Sequence, residues 1–164
     1  MGVNKGLNRG KYKDLIMAKI YIGSDHGGYN LKEKIEEVFS TAGYEFEDVG
    51  TESVESCDYP VYAQKVAQKV LETNGRGILV CGTGIGMSIA ANKFKGIRAS
   101  HCTDTFSARM TREHNDSNIL CLGERITGQD LAIDIVKVWL ETPFSNGERH
   151  KNRLELIKEI ENKV

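Results

Sequence analysis

Proline is nearly missing from this chain, at 2 of 164 residues. That scarcity excludes a proline-rich linker or polyproline scaffold. Net charge is nearly missing too: 22 Lys+Arg stand against 23 Asp+Glu, for a balance of -1. Nothing in that balance calls for nucleic acid or an anionic membrane surface as partner. No apolar run approaches the roughly 20 residues that a membrane-spanning helix needs. Cysteine pairs at metal-binding spacing are also lacking. Cys57, Cys81, Cys102 and Cys121 form no C-x-x-C and no zinc-ribbon pattern. They read as free thiols in a reducing cytoplasm rather than as a disulfide framework or a metal site.

Apolar residues make up 40% of the chain, enough to bury one full core, and the length suits one domain. Glycine is plentiful, at 17 residues. In a packed fold that points to turns with unusual backbone angles or to backbone that approaches a ligand closely. Residues 1–17 stand apart. Lys5, Arg9, Lys11 and Lys13 face a lone Asp14, and three glycines interrupt the stretch. It has no signal-peptide core. It is expected to be a disordered extension, or an upstream start ahead of Met17, leaving a single domain over 18–164.

From residue 18 short β-rich runs alternate with helical ones. Lys19–Gly23 reads as a strand, followed by a helix with Leu31, Ile35, Val38 and Phe39 on one face. Tyr44–Gly50, Gly77–Val80, Ile97–Cys102 and Asn118–Leu122 read as further strands. Helical segments open at Pro60, run from the glycine turn to Ala91, and recur over Leu131–Leu140 and Arg149–Lys163. Five strands alternating with helices predict an α/β fold: a three-layer, doubly wound sandwich around a five-stranded parallel sheet, Rossmann- or flavodoxin-like. The expected strand order is 2-1-3-4-5. The loops Ser24–Gly28 and Cys81–Gly86 would then flank the switch point where ligands bind.

Those two loops carry the chemistry. Cys81-Gly82-Thr83-Gly84-Ile85-Gly86 closes a buried strand and opens a helix. Glycines there let backbone N–H groups approach an anion, and a helix start lowers the pKa of a thiol. No Lys follows the last glycine, so this is not a P-loop. Asp104 stands 20 residues beyond Gly84, which keeps a dinucleotide site as an alternative. Asp25-His26-Gly27-Gly28 follows the first strand. Asp25 reads either as a helix N-cap or as a group that moves protons on a hydroxylated ligand. His114-Asn115-Asp116 closes another helix, as turn-formers or as site residues. Arg149 and Arg153 share a helix face. With Arg125 they suit a phosphate. His101 and Cys102 read as structural.

In this order the motifs resemble the type B ribose-5-phosphate isomerases, within the wider family that includes galactose-6-phosphate isomerase subunits. The matching stretches are Gly23–Gly28, Asp58-Tyr59-Pro60, Cys81–Lys93, Gly96–Ala99, His114–Asn118, Gly123-Glu124-Arg125, and Arg149-His150 with Arg153. The resemblance implies an aldose–ketose isomerase that acts on a phosphorylated sugar through a cis-enediolate, with no metal or organic cofactor. It implies Cys81 as the base on carbon. Thr83 and the amides around Gly84 and Gly86 would hold the enediolate oxygen, Gly82 would line the substrate site, and Asp25 would move protons between oxygens. His114 would assist ring opening, with Asn115 and Tyr59 positioning the sugar. His26, Arg125, Arg149 and Arg153 would hold the phosphate. It further implies a homodimer or homotetramer whose sites combine two chains.

Two departures stand out. Gly147-Glu148 occupies the place of a Gly-Gly pair, which sets a carboxylate beside Arg149. Met87 stands where some relatives carry a glutamate base, so Cys81 is left as the base. The rival readings are an isomerase of a six-carbon sugar phosphate and a non-catalytic nucleotide- or phosphate-binding module.

Overall fold

The computed structural model describes residues 19–164, so the segment expected to be an extension lies outside the described residues. Five strands alternate with six helices: β1 Ile20–Ser24, α1 Tyr29–Thr41, β2 Phe46–Asp48, α2 Tyr59–Thr73, β3 Arg76–Cys81, α3 Ile85–Ala91, β4 Ala99–His101, α4 Thr105–Asn115, β5 Ile119–Gly123, α5 Gln129–Glu141 and α6 Glu148–Glu161. A short 3-10 turn, His26–Gly28, links β1 to α1. All strand pairs are parallel.

The strands alternate their side chains between two apolar layers, as a parallel sheet covered on both faces requires. Ile20, Ile22, Ile78, Val80, Leu120 and Leu122 pack against α1 and α5, with Trp139 at 0% exposure in that layer. Tyr21, Leu79, Cys81, Ile119 and Cys121 face α2 and α3 through Val66, Val70 and Met87. Among the described residues no helix is long and apolar enough to cross a membrane.

The strand order is 2-1-3-5-4. The expected order had the last two strands exchanged, and their composition explains the correction. All five residues of β5, Ile-Leu-Cys-Leu-Gly, are buried, so β5 takes the inner place beside β3. The three residues of β4, Ala-Ser-His, are half-buried and form a short edge. An edge strand with polar side chains blunts unwanted pairing, and an apolar strand there would expose its surface. The switch point between β1 and β3 is unaffected by the exchange.

Candidate active site

The sheet pairs Ser24 of β1 with Val80 of β3. The loops that follow these strands therefore leave the carboxyl edge side by side, where strand order reverses and a crevice opens. Their contact depends on missing side chains. A Cβ on Gly28 would lie 2.4 Å from the Val80 carbonyl, and one on Gly27 would lie 3.2 Å from the Gly82 nitrogen. Arg125 closes the third side. Its backbone N–H donates to the Gly82 carbonyl at 3.0 Å, and its guanidinium lies against Gly27 and Gly82. Tyr59, first residue of α2, lays its ring over Gly86, where a Cβ would come within 2.8 Å.

Cys81 is the last residue of β3 and is buried. Its sulfur accepts the Gly84 N–H at 3.0 Å. That contact requires the left-handed backbone of Gly84, at φ 79. Burial pushes Cys102 up to about 12 and raises Cys121 well above its usual value. Thr83 Oγ1 accepts the Ile85 N–H at 3.3 Å, which leaves its own hydrogen free to donate.

Asp25 serves the capping role that the sequence allowed, with Oδ1 accepting the Gly27 N–H at 2.9 Å. It remains within the crevice, buried at the end of β1. His26 Nδ1 accepts the Cys57 N–H at 3.2 Å, so in the neutral ring the proton sits on Nε2 as a donor. Asp104 is consumed by capping α4, accepting the Ser107 N–H at 2.7 Å and its hydroxyl at 2.8 Å. That N-cap role accounts for Asp104 without a ribose hydroxyl. Met87 is fully buried.

The remaining predicted residues form a second group. His114 and Asn115 end α4, and Arg149 and Arg153 lie on α6. The His114 and His150 rings stack at 4.4 Å and 7°. Desolvation first, then the charges of His114, Arg149 and Arg153, hold His150 below its usual pKa. Glu148 turns to Lys151 at 3.1 Å. Its carboxylate thus has a partner other than Arg149.

The two groups lie at opposite edges of the sheet. Cys81 pairs with Gly123, the last residue of β5, whereas His114 and Asn115 precede Ile119, the first. A five-residue strand separates them by roughly 13 Å or more at 3.3 Å per residue. One chain therefore does not bring its own histidine to its own thiol.

Sequence reasoning missed His150 as a group member. Its signal was its place between two arginines of one helix start. It also left His101 as structural, and the structure packs that ring against Gly84, 2.7 Å from where a Cβ would stand.

Comparison with known proteins identifies the family. The family described as ribose/galactose isomerase matches residues 20–157. Ribose-5-phosphate isomerase B of Escherichia coli is 49% identical over 147 residues, covering 88% of this chain and 97% of that protein. The structure of ribose-5-phosphate isomerase B from Clostridium thermocellum superposes with a TM-score of 0.86 at 57% identity, covering 88% of this chain and 98% of that one. The corresponding Thermotoga maritima structure gives 0.84 at 50% identity, covering 87% and 99%. The chain belongs to the ribose/galactose isomerase family.

Proposed function

We propose that this chain interconverts ribose 5-phosphate and ribulose 5-phosphate, with Cys81 as the base that moves a proton between neighbouring carbons. The observation that carries the reading is the Cys81 thiol in the carboxyl-edge crevice, its sulfur accepting the Gly84 N–H beside Asp25 and Arg125. The names of the relatives from Escherichia coli and Clostridium thermocellum support the substrate.

In this mechanism the Cys81 thiolate takes the proton on C2 of the open-chain aldose. The C–H electron pair becomes the C1–C2 double bond, and the carbonyl oxygen takes the negative charge. The Thr83 hydroxyl and the loop N–H groups near Gly86 face that oxygen. Losing one such donor typically costs roughly 10²–10³ in rate. Asp25 carries the O2 proton to O1, the C2 carbonyl forms, and Cys81 returns its proton to C1. His26, through Nε2–H, and Arg125 meet the anionic end of the substrate. The phosphate contributes orientation as well as affinity.

A second copy completes the site. It supplies His114 for ring opening, Asn115 for the sugar, and Arg149 and Arg153 for the phosphate. Exposed Ile85, Ile89 and Phe106, near the crevice loops, and Leu156, Ile157 and Ile160 on α6, suit contact between copies in a dimer or tetramer. The free thiols fit a reducing cytoplasm. The description of the family keeps a six-carbon sugar phosphate as the second reading.

Incubation with ribose 5-phosphate, then with allose and galactose 6-phosphates, tests the reading. Conversion of the pentose with the Cys81→Ala variant slowed by about 10²–10⁴-fold is the expected result. Conversion of none of them, or a Cys81→Ala variant at wild-type turnover, overturns it.

A further inference from the structure

The amino edge of the sheet, away from the crevice, holds a polar cavity of about 210 Å³ that the isomerase reading does not use. Arg76, Arg98 and Arg112 line it together with Asn74, Asn118 and Asp116. Three guanidiniums therefore face one carboxylate. The space is several times the ~30 Å³ that a water molecule occupies in the liquid.

Two of the three arginines are well supplied with acceptors. Arg112 pairs with Asp116 at 2.9 Å and donates to the Ser117 and Thr142 carbonyls. Arg98 donates to the Asn115 and Asp116 carbonyls and lies 3.6 Å from the Asp116 carboxylate. Arg76 is different. It donates one hydrogen bond, from Nη1 to the Leu140 carbonyl at 2.9 Å. Among the described residues no carboxylate stands within ion-pair distance of it. Its guanidinium lies against the Trp139 ring at 5.5 Å, and Arg112 lies against the same ring at 5.8 Å. Burial first, then the Arg112 charge, lowers Arg76 to about 10, with Asp116 opposing from farther off. It is still cationic at neutral pH. A partly buried guanidinium with most of its five N–H groups unclaimed favours an anion, because forked N–H donors match a tetrahedral oxyanion.

We propose that this cavity binds a small oxyanion of the phosphate or sulfate class, at a site separate from the one that holds the substrate. Arg76 supplies the forked donors beside the Arg112 charge, and Asn74 forms the exposed rim. The walls of the cavity also fasten the Asn115–Asp116 turn, so an occupant braces the segment that follows His114.

Calorimetric titration of the full chain with inorganic phosphate tests the site. The Arg149→Ala/Arg153→Ala double variant is titrated in parallel, to weaken binding at the substrate site. The expected result is phosphate binding that persists in the double variant and weakens by about tenfold or more when Asn74→Asp is added, the scale of a like charge set beside the anion. Arg76→Met gives the same loss. Asn74→Asp keeps the test decisive if Arg76→Met fails to fold, because Asn74 is exposed at φ 52, a conformation Asp tolerates. Absence of phosphate binding in the double variant overturns the proposal. Binding there that ignores Asn74→Asp overturns it equally. Neither result depends on whether Cys81 is the base.

Discussion

Lys32 carries its charge with none of its side chain exposed to solvent. A buried ammonium survives only with partners. Nζ lies 2.7 Å from Glu33 and 3.8 Å from Glu36, and it bonds Asp48 of β2, with the Tyr29 ring 5.2 Å away. Burial works against the charge, but the hydrogen bonds to Asp48 and Glu33 outweigh it and raise the Lys32 pKa. Glu33, Glu36 and Asp48 sit close enough together to suggest a metal site, yet the lysine already fills the cationic place among them. One carboxyl too many remains. Burial first, then the Asp48 charge, pushes Glu36 up to about 7. Between its ordinary value of 4.5 and 7 the folded chain holds a proton that the unfolded chain has released. Stability contributed by this group therefore falls as pH rises through that window. Denaturant midpoints at pH 5 and 8 should differ less in Glu36→Gln than in the parent chain. An equal pH dependence in both would remove Glu36 from the account. The Lys32 cluster was not legible in the sequence, where an i, i+1, i+4 charge run reads as a solvated helix face. The burial of Lys32 comes from α1 packing over β1 and β3, which sets the side chain against Asp48 and Gly50.

At the scale of elements, α6 is the outlier. It is a 14-residue helix with no buried residue, although Leu156, Ile157 and Ile160 lie along it. Its first two turns bring Arg149, His150 and Arg153 beside the end of α4 through the His114–His150 stack. The helix thus works as an arm that holds cations at a fixed place, rather than as a wall of the core. Arg149→Ala should raise KM for the sugar phosphate with little change in kcat, because a remote anchor acts mainly on binding. Steady-state kinetics decide this, and an unchanged KM would leave Arg149 on a solvated face. The sequence marked Arg149 and Arg153 by their shared helix face. It gave no sign that His150 stacks on His114, because residues 36 positions apart meet only through the packing of α4 and α6. The strand order has a similar origin. The apolar length of β5 and the polarity of β4 were both readable, but their competition for the inner place beside β3 is a property of the sheet.

At the scale of the whole molecule, the site residues divide between the two ends of one sheet. Complementation follows from that division. Cys81→Ala and His114→Asn should each be nearly inactive alone. In the proposed dimer, mixing after dissociation and reassembly should recover up to about a quarter of parent activity, since half the dimers would be hybrid and each hybrid would hold one intact site. An activity assay on the mixture checks this, and no recovery would argue for sites built within one chain. The sequence by itself determined the α/β class, the two glycine loops, the thiol between them and the family, because strand and helix periodicities and loop motifs are local. Tertiary structure alone decided which strand lies inside, that Gly84 turns its N–H onto the Cys81 sulfur, and that Lys32 is buried among acids. It also decided that the thiol and His114 stand apart in one chain. Those outcomes depend on which surfaces meet after distant segments pack, and no local pattern records that.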